Sequence, residues 1–213
     1  MSYADLRQEY KKSTLSETSV LADPLAQFEV WFQESLKSGI TEPNAFTLAT
    51  VGENGTPSGR VLLLKGVDKG GFVFYSNYQS DKAKDIKQFP VGAMVFLWLE
   101  LERQVRISGP ITKLSREESE AYFHSRPRES QIGAWASPQS RVIESRDVLD
   151  KNLEACLEKF DGVDVIPLPD FWGGYRLMPV EIEFWQGRPN RLHDRILYSE
   201  HENGGWQIER LAP

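Results

Sequence analysis

Hairpin-joined strands, with helices inserted between groups of strands rather than alternating with them one for one, predict a mainly β fold with peripheral helices. The architecture expected is an antiparallel barrel of Greek-key type. Three observations carry this. Short β-rich runs cluster between residues 45 and 114, an Asn54-Gly55 pair separates two of them as a hairpin signal, and strand patterns return after residue 172. Strict strand-helix alternation, as in a doubly wound parallel sheet, is not found.

Taken in order, residues 1–20 are polar, without a sustained period, and read as an arm that is mobile or folds onto something else. Residues 21–213 read as one domain, because no repeat, low-complexity segment or linker divides them. Asp23 can cap a helix over 24–38 with Pro24 at its first position, Leu25, Phe28, Phe32 and Leu36 on one face, and Gly39 as the stop. AFTLATV (45–51) and PSGRVLLLK (57–65) flank the turn at Glu53–Thr56, and Gly70-Gly71 leads into FVFYS (72–76). A polar, helix-like stretch covers 80–89, and VGAMVFLWLE (91–100) and RQVRISGPITKL (103–114) form a second strand pair. Ser115 and Glu118 make a capping box for a helix through about Ser125. Val148, Leu149, Leu153, Cys156, Leu157 and Phe160 recur at helical spacing over 144–160. Beyond a Pro-interrupted connection at 168–172, the runs 173–187, 191–200 and 206–213 read as strands, with a turn at 201–205.

Composition narrows the function. Lys plus Arg total 25 against 31 Asp plus Glu, a net charge of −6 over 213 residues. That balance disfavours a nucleic-acid backbone as partner. The longest strongly apolar stretch, Val91–Leu99, is too short to span a bilayer, and the N-terminus lacks the apolar core of an export signal. Cys156 is the only cysteine, so neither an intrachain disulfide nor a multi-cysteine metal site is expected. A reducing cytoplasm fits best.

Three basic sets stand out against that negative background. If Arg191-Leu192-His193-Asp194-Arg195 is a strand, Arg191, His193 and Arg195 share a face. Such a set either receives an anion or is a solvated strand face. Arg60 and Lys65 bracket VLLL, which equally describes the solvated ends of a strand. Tyr122, Arg126, Arg128 and Ser130 combine guanidiniums with hydroxyls, as a phosphate site does and as an exposed basic turn does. Taken jointly they favour a small phosphorylated ligand. Trp172 and Trp185 are either core or a platform for a flat heteroaromatic ring. No phosphate loop, GxGxxG turn, zinc-spaced His/Cys set or GxSxG elbow is present, so phosphate binding would come from side chains on a barrel.

The segment Ile182-Glu183-Phe184-Trp185-Gln186, four residues, then Arg191-Leu192-His193-Asp194-Arg195 resembles the signature of the pyridoxine/pyridoxamine 5′-phosphate oxidases at every specified position. Similar stretches occur at RVLLLK (60–65), VFYSN (73–77), LERQVR (101–106), YFHSRPRESQIGAW (122–135), FWGGYR (171–176) and the terminal ERLAP. The resemblance implies an FMN-binding split β-barrel that works as a homodimer with the flavins at the interface. It also implies oxidation of pyridoxine or pyridoxamine 5′-phosphate to pyridoxal 5′-phosphate, with O2 returning the flavin and yielding H2O2. Carried over by position, Arg60, Lys65, Tyr75, Ser76, Lys82, Gln104, Gln139, Ser140, Trp185 and Arg195 would contact FMN. Lys65, Tyr122, Arg126 and Ser130 would take the substrate phosphate, Arg191 and His193 would lie over the reacting ring, and Arg7 and Tyr10 would close over the substrate.

One position departs from the resemblance: Asp81 stands where the family usually carries Arg beside the FMN phosphate. Either Lys82 and Lys84 compensate, or Asp81 points away and pairs with a lysine, or flavin binds more weakly. Two rivals share parts of this reading. A split-barrel flavoprotein using a nicotinamide cofactor would not require the YFHSR and RLHDR sets together, and a flavin or pyridoxal-phosphate carrier would need no turnover.

Overall fold

A computed structural model describes residues 2–6, 9–201 and 203–213. Among these, ten strands and five α-helices form an antiparallel half-barrel. The first helix, α1 (Pro24–Lys37), starts where Asp23 accepts the Leu25 N–H at 2.9 Å and ends before Gly39, whose φ of +78° suits glycine. The hairpin β1 (Ala45–Val51) and β2 (Pro57–Leu63) turns at Gly55, φ +79°. After β2 the chain bends into a short strand, β3 (Gly66–Asp68), which the sequence pattern left unassigned, and pairs with β4 (Gly71–Asn77). Then follow α2 (Asp81–Gln88), β5 (Val91–Trp98) and the long β6 (Arg103–Lys113). Next come α3 (Arg116–Ser125), α4 (Arg128–Ala136) and α5 (Arg146–Lys159). The chain finishes with β7 (Trp172–Leu177), β8 (Glu181–Gln186), β9 (Asp194–Glu200) and β10 (Trp206–Arg210).

The main sheet runs β10-β9-β8-β6-β5-β1-β2, and β7, β4 and β3 branch from the far end of β6. β6 is shared: residues 103–108 pair with β8 and residues 111–113 with β7. This explains why 173–187, expected as one strand, is two. Pro179 has no N–H for a ladder, while the Met178 and Val180 N–H groups donate to Pro110 and Ser108 at 2.9 Å each, carrying the chain from one partner of β6 to the other. Gly109 makes that crossing possible, since a Cβ there would lie 1.9 Å from the Met178 carbonyl oxygen.

Inside the half-barrel, α1 packs an aromatic core. Phe28 meets Phe72 and Phe96 edge-on with ring centroids 5.0 and 5.1 Å apart, and all three are buried. Full burial of each ring stabilises by roughly 2–3 kcal/mol. The expected α1 face is rotated in detail: Trp31 is buried against Phe184, whereas Leu36 is 49% exposed. A second cluster, with Phe123, Ile132, Phe160, Ile166 and Trp172, sits under α3 and α4. α4 was not anticipated, because Gly133 and an uncapped Arg-Pro start obscure it; Ile132 and Ala136, one turn apart, are its buried stripe. α5 forms as expected, but Leu153 and Leu157 remain exposed.

α3 is fixed by its capping box, with Ser115 Oγ accepting the Glu118 N–H at 3.1 Å and Glu118 accepting the Ser115 N–H at 3.0 Å. Glu118 also pairs with Lys69 and, at 3.1 Å, with Arg176. Lys69, the Ser115 N–H and Arg176 together hold its carboxyl down at about 2 from an ordinary 4.5. A depressed acid stabilises the fold fully above its unfolded pKa and loses that contribution as pH falls toward its folded one. Acid titration of the unfolding midpoint is expected to show a loss between pH 4.5 and about 2 that is smaller in Glu118→Gln. At the crossing of β6, Gly109→Ala is expected to cost about 3 kcal/mol in urea unfolding through forced backbone displacement.

Candidate functional site

Directly paired residues of antiparallel strands share a face. Arg60, Leu48, Met94, Ile107, Ile182 and Tyr198 therefore form one row across the sheet, in which Arg60 terminates a line of buried side chains at the β2 edge. Gln104, Trp185 and Arg195 form a row on the opposite, outer face of β6, β8 and β9. Five strand spacings separate β2 from β9, roughly 24 Å along the sheet. The expected flavin contacts thus fall on two faces of one chain.

The inner set gathers where α2 begins. Lys82 is only 8% exposed, and its Nζ donates to Gln139 Oε1 at 3.0 Å, Ser76 Oγ at 3.2 Å and Ser80 Oγ at 3.3 Å. Every one of these partners is neutral. Burial, and then the nearby Arg60, push the Lys82 pKa down. Arg60 donates to Thr50 Oγ1 and Ser58 Oγ at 2.6 Å each, and Asp85, 3.7 Å away, is its ion-pair partner while accepting the Thr50 hydroxyl. A buried ammonium held only by hydroxyls and an amide is an incomplete anion site. The N-terminus of α2 adds partial positive charge. Ser140, next to Gln139, adopts φ +66° and is exposed.

A second set is aromatic. Tyr75, on β4, stacks on Tyr122 with centroids 3.8 Å apart and on Trp172 at 5.5 Å. Burial and the Tyr122 hydroxyl push Tyr75 up to about 12, so its hydroxyl stays a neutral donor. Arg126 lies 4.7 Å over the Trp172 ring and gives one Nη2 proton to the Ser130 carbonyl at 2.8 Å. Its Nη1 is buried with no acceptor among the described residues. Such an orphaned cationic donor costs several kcal/mol if it stays unmet, of order 3. It points to an anion. Trp172 serves as core and as the platform under this guanidinium.

The third set lies around a cavity of about 680 Å³ lined by Tyr10, Arg188, Asn190, Arg191 and His193. Here the strand reading of 191–195 is corrected. Arg191 closes a 3₁₀ turn (Pro189–Arg191) and β9 starts only at Asp194, so Arg191, His193 and Arg195 do not alternate along one strand. Asn190 and Arg191 have φ of +56° and +62°, a left-handed pair that a strand cannot contain. The turn aims His193 at Trp185 instead, with centroids 4.6 Å apart, and Tyr10 edges both rings at 5.8 and 5.9 Å. The Arg188 N–H donates to His193 Nδ1 at 3.1 Å, which places the proton of the neutral ring on Nε2. Burial and Arg191 lower the His193 pKa against the pull of Asp194. Tyr10 fits because residue 187 is glycine: a Cβ there would meet Tyr10 Cγ at 2.7 Å.

Lys65 stands apart from both phosphate-suited sets, exposed beside Phe28, Phe32 and Leu36 at a cavity of about 380 Å³. Arg7 lies outside the described residues. Sequence reasoning missed the acids and neighbours that hold these groups: Asp85 and Thr50 at Arg60, Arg188 at His193, and Glu183 at Arg195. Only Glu183 carried a signal, its place inside the IEFWQ segment.

Residues 32–160 match the family described as "Pyridoxamine 5'-phosphate oxidase", and residues 172–213 match "Pyridoxine 5'-phosphate oxidase C-terminal dimerisation region". The chain belongs to the pyridoxine/pyridoxamine 5′-phosphate oxidase family. A protein of that name from Salinibacter ruber is 55% identical over 99% of this chain and 98% of its own. Another from Gloeothece citriformis is 54% identical over 100% and 99%. PhzG from Burkholderia lata 383, solved in complex with tetrahydrophenazine-1-carboxylic acid, superposes with a TM-score of 0.87 at 28% identity, covering 94% of this chain and 98% of that one. A pyridoxamine 5′-phosphate oxidase-related, FMN-binding protein from Nostoc punctiforme shares the fold at a TM-score of 0.71 and 20% identity.

Membership makes the protein an oxidoreductase with FMN as its cofactor, and the dimerisation region supports a homodimer. The chain's own residues fit that flavin. The acid-free ammonium of Lys82 suits a phosphate, and the Gln104, Trp185 and Arg195 row offers polar and flat contacts. Asp81, the departure from the resemblance, is exposed and pairs with Lys84 at 2.7 Å rather than bonding to Lys82. Asp81→Arg would release Lys84 and add a cation at the start of α2. FMN titration of the apoprotein is expected to show tighter binding, by about threefold to tenfold, with unchanged or weaker binding as the contrary result.

Proposed function

We propose that this protein oxidises pyridoxine 5′-phosphate, or pyridoxamine 5′-phosphate with water taken up and ammonia released, to pyridoxal 5′-phosphate, O2 restoring the flavin and leaving as H2O2. FMN supplies the acceptor for the hydride leaving C4′ of the substrate. The chain's part is binding and orientation. The observation that carries the reading is the orphaned Nη1 of Arg126, buried beside Trp172, Tyr122 and Ser130 in a protein of net charge −6. A dianionic phosphate satisfies that group and draws on Tyr122 and Ser130 as further hydroxyl donors.

Arg191 and His193 hold the pyridine ring. His193, with Nδ1 engaged by the Arg188 N–H, presents Nε2–H as a donor, and Arg191 adds a cation beside it. Neither is assigned as a nucleophile. Tyr10, seated in the notch left by Gly187, shields this end of the site from water, and Arg7 is proposed to act with it. Arg60, Ser76, Lys82, Gln139 and Ser140 are assigned to FMN and Tyr75 to its surroundings; Lys65, apart from these sets within one chain, is assigned to FMN and to the substrate phosphate on the resemblance alone.

The division of flavin contacts between two faces supports a site shared by two copies, with the inner set of one chain meeting the Gln104, Trp185 and Arg195 row of the other. No helix among the described residues is long and apolar enough to cross a membrane, and the single cysteine suits a cytoplasmic enzyme.

Aerobic assay with pyridoxine 5′-phosphate is expected to yield equal amounts of pyridoxal 5′-phosphate and H2O2, with a tetrahydrophenazine carboxylate as the control substrate. Arg191→Ala and His193→Ala are each expected to lower kcat/KM at least tenfold without releasing FMN. Unchanged turnover and affinity in both would remove those roles.

A further inference from the structure

Glu183 is an acid on the outer face of the sheet that is nonetheless 6% exposed. It is covered by two guanidiniums. Arg195 grips it in a fork, Nε to Oε1 at 2.7 Å and Nη2 to Oε2 at 3.1 Å, and Arg106 donates to the same Oε2 at 3.0 Å. The other end of Arg195 is also held: Nη1 donates to the Ala212 carbonyl at 2.8 Å, while the Leu211 N–H donates to the Arg195 carbonyl at 2.9 Å. Both side-chain ends of Arg195 are therefore fixed, by a buried acid and by the C-terminal tail.

A fork of this kind sets the plane of the guanidinium, because two parallel N–H···O bonds leave no rotation about Cζ. Among the described residues, one N–H on Nη1 and one on Nη2 have no protein acceptor. Trp185 is the direct cross-strand partner of Arg195, so those two donors belong to the row expected to face the flavin. Arg106 is half-exposed and lies in the same cross-strand row as Glu183, so its pairing with Oε2 steadies the carboxylate itself.

We propose that Glu183 is a positioning residue for FMN: it touches no ligand and acts by holding Arg195 in one orientation, with the Ala212 carbonyl as the second anchor. This rests on the reading of the outer row as a flavin half-site. Removal of Glu183 frees the guanidinium to rotate and leaves two neighbouring arginines without their shared acid. The loss then appears in flavin affinity.

The test is FMN titration of full-length apoprotein, followed by flavin fluorescence, for wild type, Glu183→Ala, Glu183→Gln, Arg195→Ala and the Glu183/Arg195 double alanine variant. Thermal unfolding of each apoprotein is recorded alongside. The proposal expects Glu183→Ala to weaken FMN about tenfold, Glu183→Gln to recover part of that through its one remaining acceptor, and the double variant to bind no worse than Arg195→Ala alone. Deletion of Ala212 and Pro213 is expected to weaken FMN in the same direction. Additive losses in the double variant, or Glu183 variants that change only the melting temperature, would overturn it; Glu183→Gln, nearly isosteric, keeps the test open if the alanine variant does not fold. Failure of the underlying reading looks different, because Arg195→Ala would then bind FMN as wild type does.

Discussion

The register of the antiparallel sheet is the constraint on which the rest of the molecule depends. Side chains alternate with a period of two, so a slip of one residue in any pairing from β2 to β10 would exchange the two faces. Leu48, Met94, Ile107, Ile182 and Tyr198 would then turn to solvent, and Gln104, Trp185 and Arg195 would turn into the core. The apolar row is therefore what places the polar row. Phe28 and Trp31 of α1 reinforce it by packing on the inner face alone.

Charge follows the same partition. Most acids of this net-negative chain are on the surface or spent on arginines, as Asp68 and Glu118 are on Arg176, and Asp194 on Arg188 and Arg210. Among the described residues, Lys82 and the Nη1 of Arg126 are exceptions, buried and without a carboxylate partner. Pairing them internally would stabilise the empty protein and weaken its hold on anions. Their lack of acids is a local electrostatic feature suited to the proposed phosphates, and net charge hides it.

Much of this was legible in the sequence because it is local. The Asp23 cap, the Asn54-Gly55 turn, the Ser115/Glu118 box and the strand alternation of β5 and β6 each depend on residues within a few positions. The errors came where a distant partner decides. Residues 173–187 break because β6 offers two neighbours on either side of Gly109, and nothing near Pro179 announces both. Arg191 and His193 looked like strand positions, yet the left-handed pair at Asn190 and Arg191 is held by bonds from Arg188 and Asp194 that the local pattern does not announce. The candidate site residues were named by resemblance; the groups that hold them, Arg188 for His193 and Glu183 for Arg195, lie on neighbouring strands or turns and became visible only in the fold.

The left-handed turn also shows why the third set sits where it does. Holding Arg191 at φ +62° costs about 1 kcal/mol or more. The chain offsets this with the Arg188 N–H to His193 Nδ1 bond, the Arg188 to Asp194 ion pair at 3.3 Å, and the Asp194 to Arg210 pair at 2.8 Å. Asp194 further accepts the Leu15 N–H at 3.0 Å, and Glu102 accepts the Lys11 and Lys12 N–H groups at 2.9 Å each. The segment that carries Tyr10 is thereby tied to the same loop that aims His193. A strained turn kept by long-range bonds thus shares its partners with the polar arm, which, unremarkable in composition, is held beside the cavity by its hydrogen bonds.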